Sequence, residues 1–233
     1  MKFRLITTIL AALISISAIN AKGKYVVKVN DFDELQITNN IAVDYYCRPD
    51  SAGYAILYTD NAHADMILFD NNRKGRLSVL TDADYDGKEA LPHVIIYSSG
   101  LKKIYNCGDS LVKAFDIPPT EKFRATLIGN GRFVVRGIEA TSVTGSIDSG
   151  NGQLILSGEC KTAKLRNVGT GSIQADELTA TSVSASIVGT GSIGCNPLEK
   201  LSILGTGSGE VFYRQTPAEI KSHTIGIKHS ILR

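Results

Sequence analysis

The stretch Val168-Gly169-Thr170-Gly171-Ser172-Ile173 is repeated as Val188-Gly189-Thr190-Gly191-Ser192-Ile193. A third copy reads Leu204-Gly205-Thr206-Gly207-Ser208, and looser copies occur earlier as Gly129-Asn130-Gly131 and Gly150-Asn151-Gly152. The first glycines of these turns lie 21, 19, 20 and 16 residues apart. A period near twenty without a helical pattern between the copies is typical of a solenoid built from short strands.

The residues that follow each turn can be aligned in columns. The second position reads Phe133, Leu154, Ile173, Ile193 and Gly209, and the fourth reads Val135, Leu156, Ala175, Cys195 and Val211. The first position is polar in every copy: Arg132, Gln153, Ser172, Ser192 and Ser208. This period of two predicts a strand with one buried face in every coil. We therefore predict an all-β fold, a parallel β-helix with two principal sheets, coils of about 20 residues and the right-handed winding of such crossovers.

The glycine turns have a mechanical explanation. A coil bends sharply between two sheets, and glycine reaches positive φ without a steric cost. Asn130 and Asn151 suit the same bend because asparagine tolerates the left-handed region. We expect the Gly-x-Gly turns to be corners of the solenoid.

The part of the chain before the repeat also consists of strand-like pieces. β-Branched and aromatic residues are separated by Asn, Asp and Gly clusters, as in Tyr25–Val29, Tyr54–Tyr58 and Val94–Tyr97. Ile117-Pro118-Pro119 interrupts strand pairing because proline lacks the amide donor. This predicts an N-terminal β region over residues 22–116 and β-helix repeats over 117–233, both within the same domain.

Residues 1–21 have the features of a secretory signal peptide. Lys2 and Arg4 precede an apolar run from Leu5 to Ile16 that is too short to cross a bilayer, and small residues surround Ala21. Cleavage there would leave 23 basic and 23 acidic residues. We therefore expect an exported protein that is periplasmic, secreted or on the outer surface, with no integral membrane span. A neutral protein gives no reason to expect nucleic acid as a partner.

Export to an oxidising compartment permits disulfides among the four cysteines, Cys47, Cys107, Cys160 and Cys195. A Cys47–Cys107 pair stays open on geometric grounds. Cys160 and Cys195 lie two coils apart, beyond the reach of a disulfide. Cys195 occupies an apolar column, so we expect a buried thiol there.

Three parts of the sequence resemble a known family. The stretches Val27–Ile37 and Leu101–Val112, together with the Gly-Thr-Gly-Ser-Ile repeats, are similar to the head GIN domain family of putative auto-transporter adhesins. The resemblance covers nearly all of the chain after residue 21. It implies a pectin-lyase-like β-helix, a secreted or surface location in Bacteroidetes-type bacteria and a role in adhesion. It supplies no catalytic motif.

An acidic loop is the candidate metal site. Asp82, Asp84 and Asp86 alternate before Gly87, as at the start of a calcium loop. Position twelve of such a loop needs a bidentate glutamate, and His93 stands there. A polar loop between two strands is the competing interpretation.

No catalytic or cofactor-binding residues are predicted. Gly189 to Gly194 spells a dinucleotide fingerprint, but Cys195-Asn196-Pro197 follows where a helix is required. The carboxylates expected of a glycosidase are scattered over different coils: Asp148, Glu159, Asp176, Glu177 and Glu210.

The sequence therefore predicts a non-enzymatic surface protein, an adhesin that binds a surface protein or a glycan. A ladder of hydroxyls could meet a ligand: Thr179, Thr181, Ser182, Ser184 and Ser186. One alternative is a structural or assembly module of the cell envelope, since an open solenoid end must be capped or paired, as in a homo-oligomer. The other is a carbohydrate-active enzyme on the same scaffold.

Overall fold

The computed structural model describes residues 23–59, 64–71 and 75–232, so the proposed signal peptide lies outside the described residues. The strands of the N-terminal part are β1 (Gly23–Lys28), β2 (Glu34–Thr38), β3 (Val43–Cys47), β4 (Tyr54–Thr59), β5 (Ile67–Asp70), β6 (Arg76–Thr81), β7 (Val94–Ser98), β8 (Lys103–Cys107) and β9 (Leu111–Phe115). Those of the C-terminal part are β10 (Thr120–Ile128), β11 (Arg132–Ser149), β12 (Gln153–Gly169), β13 (Ser172–Gly189), β14 (Ser192–Gly207), β15 (Glu210–Tyr213), β16 (Glu219–Ile225) and β17 (Lys228–Ile231).

The chain is a β-solenoid of about six turns with coils of roughly 20 residues, as the repeat predicts. The strands form two long faces. Sheet 1 has the spatial order β5–β6–β2–β8–β10, followed by the C-terminal parts of β11 to β14 and by β16. Sheet 2 has the order β1–β4–β7–β3–β9, followed by the N-terminal parts of β11 to β14, then β15 and β17. Each long strand bends from sheet 2 into sheet 1.

The apolar columns form the interior. Phe133, Leu154, Ile173 and Ile193 are in register on successive coils, and each is 0% exposed. Burial of one such side chain contributes about 1.5–3 kcal/mol. The core is one cluster of buried residues that runs from Val29 to Ile227.

The glycine turns are the corners where sheet 1 passes into sheet 2. The first glycine of each turn has a positive φ, for example 128° at Gly169 and 121° at Gly189. Successive corners are also joined by backbone hydrogen bonds, such as the one from the amide of Ser192 to the carbonyl of Gly171 at 3.1 Å. The prediction of Gly-x-Gly corners is confirmed. Asn130 and Asn151 are not left-handed, since the described non-glycine residues with positive φ are Asn39 and Asp116, so the glycines alone take the positive φ at these corners.

At the corner between β14 and β15 the observed register differs by two residues from the one that the repeated motif predicts. Gly189 pairs with Gly207, so the third corner is Gly207-Ser208-Gly209, and Gly205 stands in the column of Ile187. Val211 therefore stacks on Ile193, where the sequence alignment placed Gly209. The sequence alignment was wrong here because two Gly-x-Gly triplets overlap, Gly205-Thr206-Gly207 and Gly207-Ser208-Gly209. Only the second triplet puts an apolar residue, Val211, into the inner column of Ile193.

The order of the N-terminal coils does not follow the chain. The β6–β7 coil lies outside the β2–β3 coil, although it comes later in the sequence. After β7 the chain returns across that coil, so that β8 and β9 pair with the other side of β2 and β3. Beyond β6 and β7, the antiparallel strands β1, β4 and β5 cover the N-terminal end.

Candidate functional site

A row of four aromatic side chains, one exposed and three half-buried, crosses four strands on the outside of sheet 2. Tyr54, Tyr97, Tyr46 and Phe115 are register neighbours on β4, β7, β3 and β9. The rings of Tyr46 and Phe115 are stacked with centroids 5.2 Å apart, and those of Tyr46 and Tyr97 are 6.0 Å apart. Further apolar side chains flank the row on the same face: Val26, Ile56, Tyr58, Ile95 and Leu111. We call this surface the aromatic face.

Cations border the aromatic face. The guanidinium carbon of Arg48 lies 6.0 Å from the centroid of the Tyr46 ring, and Arg48 is paired with Asp116 at 2.6 Å. Arg132 and Arg136 line a depression of about 370 Å³ beside Phe115. Neither arginine has a carboxylate partner in the described part of the chain.

Asp44 pairs with Lys113 and contacts His93 in the middle of the aromatic face. Its Oδ2 lies 3.2 Å from Nε2 of His93, and its Oδ1 lies 3.6 Å from Nζ of Lys113. The Asp44 side chain is only 18% exposed, so the aromatic face has no free carboxylate at its centre. The remaining charge of the aromatic face is positive and lies at its border, on Arg132 and Arg136.

A second surface, the basic cleft, lies on the outside of sheet 1. It is a depression of about 450 Å³ whose lining is Lys102, Lys103, Lys122, Phe123, Arg124, Ser142, Thr144 and Lys164. Asp33 bonds Lys102 at 2.7 Å, which raises the pKa of that lysine, and Glu34 lies 3.4 Å from Lys103.

The hydroxyls of the predicted ladder lie near the basic cleft. Ser182, Ser184 and Ser186 alternate along β13 on the outer side of sheet 1, half-buried, next to the β12 strand that carries Lys164. Thr179 lies at the bend instead, where its hydroxyl accepts a hydrogen bond from Nδ2 of Asn196 at 3.3 Å. The ladder is thus divided between an outer face and a corner.

The acidic residues form a small group that the sequence did not indicate. Glu139 and Glu159 are register neighbours on β11 and β12, and Glu121 lines the same open depression of about 540 Å³. All three are exposed and lie on one corner of the solenoid, so they do not face each other across a cleft as glycosidase carboxyls do. Two other predicted acids are engaged elsewhere, Asp148 with Arg166 at 3.2 Å and Glu210 with the hydroxyl of Ser230 at 3.2 Å.

The acidic loop connects β6 to β7 on the surface. Asp86 accepts hydrogen bonds from the Lys88 side chain at 2.6 Å and the Lys88 amide at 3.0 Å, and these bonds lower the pKa of Asp86. Oδ1 of Asp82 accepts the amide of Asp84 at 2.9 Å. No three His, Cys, Asp or Glu side chains are grouped to hold a metal within residues 23–59, 64–71 and 75–232. The calcium hypothesis stays a prediction.

All four cysteines are thiols in the structure. Burial raises the pKa of Cys195 to about 12 and that of Cys160 to about 11. Thiols held in the protonated form are poor nucleophiles. Cys195 is 0% exposed in the inner column, as predicted.

The dinucleotide-like stretch at Gly189 forms a solenoid corner. Strand β14 starts at Ser192, directly after the corner, so no helix N-terminus faces a phosphate. In the described part of the chain no helix is long and apolar enough to span a membrane.

The described residues thus form a mostly parallel β-solenoid whose two sheets have accessible outer faces. The family model "Putative auto-transporter adhesin, head GIN domain" matches residues 31–217. The chain belongs to this family, as the sequence resemblance implied.

Solved structures share the fold. A putative adhesin from Bacteroides fragilis superposes with a TM-score of 0.74 at 20% identity, over 89% of this chain and 96% of that one. A putative lipid binding protein from Parabacteroides distasonis gives a TM-score of 0.69 at 19% identity, over 90% and 97% of the two chains. A putative adhesin from Parabacteroides merdae gives 0.63 at 15% identity, over 90% and 96%. None of these names is that of an enzyme. A comparison with curated proteins finds no match.

Proposed function

We propose that this protein is a non-enzymatic, exported adhesin that binds a partner on another surface through its aromatic face. The observation that carries the proposal is the aromatic row on the outer face of four adjacent strands, in which Tyr54 is exposed and Tyr97, Tyr46 and Phe115 are half-buried. Contiguous exposed apolar surface with a polar border marks an interaction site in soluble proteins. The adhesin names of the family and of its structural relatives support the same role.

A surface protein is the favoured partner over a glycan. The rings of Tyr46, Tyr97 and Phe115 stack on one another, so they present edges to solvent rather than free faces on which a sugar could lie. Tyrosine, arginine and aliphatic side chains together are the composition of the central residues in protein–protein interfaces. Arg132 and Arg136 would supply charge-assisted hydrogen bonds at the border.

Export follows from residues 1–21, which we assign to a signal peptide cleaved after Ala21. The mature protein then starts one residue before β1, and β1 lies at the border of the aromatic face. With this cleavage site, the proposed contact surface would lie next to the new N-terminus.

Bead adhesion tests the role of the aromatic face. Beads coated with the mature protein are incubated with a panel of bacterial and host cells, and bound beads are counted. We expect Tyr54→Ser/Tyr58→Ser to reduce bound beads by about tenfold, because tyrosine is enriched among the interface residues whose truncation costs more than about 1 kcal/mol. The matched control is Val188→Ser/Leu204→Ser on sheet 1, whose side chains are similarly exposed at 45% and 50%.

Treatment of the cells identifies the partner class. Protease should abolish binding of the beads, and periodate oxidation of glycans should leave it intact. The proposal would be contradicted if Tyr54→Ser/Tyr58→Ser beads adhered as well as the Val188→Ser/Leu204→Ser control beads. Vesicles of anionic lipid are included because one structural relative is named a lipid binding protein. Vesicle binding that Tyr54→Ser/Tyr58→Ser removes would change the partner class to lipid.

A further inference from the structure

The basic cleft on sheet 1 collects cations that the protein itself leaves uncompensated. Lys103, Arg124, Thr144 and Lys164 follow one another in register on β8, β10, β11 and β12. Within the described residues, Lys122, Arg124 and Lys164 have no carboxylate partner, while Lys102 and Lys103 are paired with Asp33 and Glu34. The cleft therefore presents a net excess of positive charge on an exposed face.

The arrangement of these cations is unfavourable for the protein alone. Like charges on directly opposed strand positions destabilise a sheet, and Lys103 is the direct neighbour of Arg124. Lys122 lies two residues before Arg124, and so on the same face of β10. An anion bound between these side chains would convert the repulsion into charge-assisted hydrogen bonds.

Hydroxyls complete the lining of the cleft. Ser142 is the register neighbour of Lys122, and Thr144 stands between Arg124 and Lys164. Both are half-buried on the floor of the depression. The outward serines of β13 continue the hydroxyl surface beyond Lys164.

We propose that the basic cleft is a second binding site, distinct from the aromatic face, for a linear polysaccharide that carries carboxylate or sulfate groups. The cations would bind the acidic groups of the polymer, and the hydroxyls would exchange hydrogen bonds with its sugar hydroxyls. The groove crosses the strands, so a chain could follow it along the solenoid axis at about 4.8 Å per strand.

Other anionic polymers fit the cleft less well. Single-stranded nucleic acid is held by exposed aromatic rings on which bases stack, and Phe123, the aromatic residue of the lining, is 1% exposed. A lipid surface is bound by cations next to inserting apolar side chains. The lining contains no exposed apolar side chain.

Direct binding measurements test the proposal. The mature protein is titrated by biolayer interferometry with polygalacturonate, dextran sulfate, neutral dextran and single-stranded oligothymidylate, at low and high salt. We expect binding of polygalacturonate or dextran sulfate that weakens with salt, and none of neutral dextran. The two polyanions tell whether carboxylate or sulfate is preferred.

Variants locate the site. We expect Lys122→Gln/Lys164→Gln to weaken polyanion binding by about tenfold, since each lost cation removes a charge-assisted contact. The matched control Arg214→Gln/Lys228→Gln removes two exposed cations from the last coils, and neither of these cations is in an ion pair in the described part of the chain. This control should bind as the unchanged protein does. Thermal melts verify that each variant is folded.

Three outcomes would overturn the proposal: no polyanion binding at low salt, equal weakening by both double variants, or tighter binding of oligothymidylate through the same lysines. The last outcome would make the cleft a nucleic-acid site. Tyr54→Ser/Tyr58→Ser should leave polyanion binding unchanged, so failure of this proposal and failure of the aromatic face can be told apart.

Discussion

Gly189 shows how a single residue makes a corner of this solenoid. Its φ is 121°, a region that side-chain-bearing residues rarely adopt, and a Cβ there would lie 2.5 Å from the carbonyl oxygen of Gly169 in the preceding coil. A side chain at this position is therefore unfavourable for two reasons: the positive φ strains its backbone, and its Cβ would clash with the corner of the neighbouring coil. Gly137 has a φ of 71°, but a Cβ there would meet nothing within 4 Å.

Substitution by alanine at these two positions separates the two effects. We expect Gly189→Ala to lower the free energy of unfolding by about 3 kcal/mol, because backbone strain and a steric clash add. Gly137→Ala should cost about 1 kcal/mol, from the positive φ alone. Urea denaturation followed by circular dichroism measures both. Equal losses would mean that stacking of the corners does not constrain Gly189.

The last coil, formed by β16 and β17, covers the C-terminal end of the core. Its inward positions are mixed: Ser222 and His229 stack on Ile203 and Val211, whereas Ile220 and Ile231 stack on Leu201 and Tyr213. Lys221 and Lys228 lie on the exposed edge strands, where lysine discourages pairing with another chain. A terminal repeat that exposes polar residues is how a solenoid stays soluble.

Deletion of residues 219–233 should expose the apolar columns. Leu201, Ile203 and Val211 are 0% exposed in the full chain and would lose the strands that cover them. We expect a loss of about 3 kcal/mol in unfolding free energy, a lower melting temperature and self-association. Calorimetry and light scattering measure these effects. Ile225→Ser, which changes a side chain that is already 77% exposed, is the control and should behave as the full chain does. A truncated protein that stays monomeric would contradict the role of β16 and β17 as a cap.

At the scale of the whole molecule, both ends of the solenoid carry features that oppose stacking with a second copy. The N-terminal end carries antiparallel strands, which break the parallel pattern that a second copy would continue. The C-terminal end carries β16 and β17, whose exposed positions include Lys221 and Lys228. This arrangement favours a single chain over the end-to-end assembly that the alternative of an envelope module requires.

We expect the mature protein to be a monomer. Its mass by multi-angle light scattering should equal that of one chain and stay constant over a concentration series, because antiparallel strands at one end and edge lysines at the other oppose stacking. A mass that rises with concentration would contradict this and would favour the homo-oligomer alternative. The chain truncated after residue 218 provides the associating reference.

The candidate surfaces were harder to predict than the solenoid. Tyr46, Tyr97 and Phe115 come from strands far apart in the sequence, and only their register brings the rings together. The same holds for Lys122 and Lys164 in the basic cleft. One signal was present in the alternating strands: the outward positions of β3, β4, β7 and β9 carry aromatic residues where a solvated face would carry polar ones.

The sequence by itself determined the coil, since the repeat, the alternation of apolar residues and the glycines at positive φ are local properties that each coil carries. Only the tertiary structure decided which coils are neighbours. The β6–β7 coil lies outside the β2–β3 coil, and the corner at Gly207 is two residues later than the repeated motif indicated. The physical reason is that a strand's own pattern specifies its buried face but not its hydrogen-bonding partner. The aromatic face and the basic cleft depend on those partners, so they exist only in the folded chain.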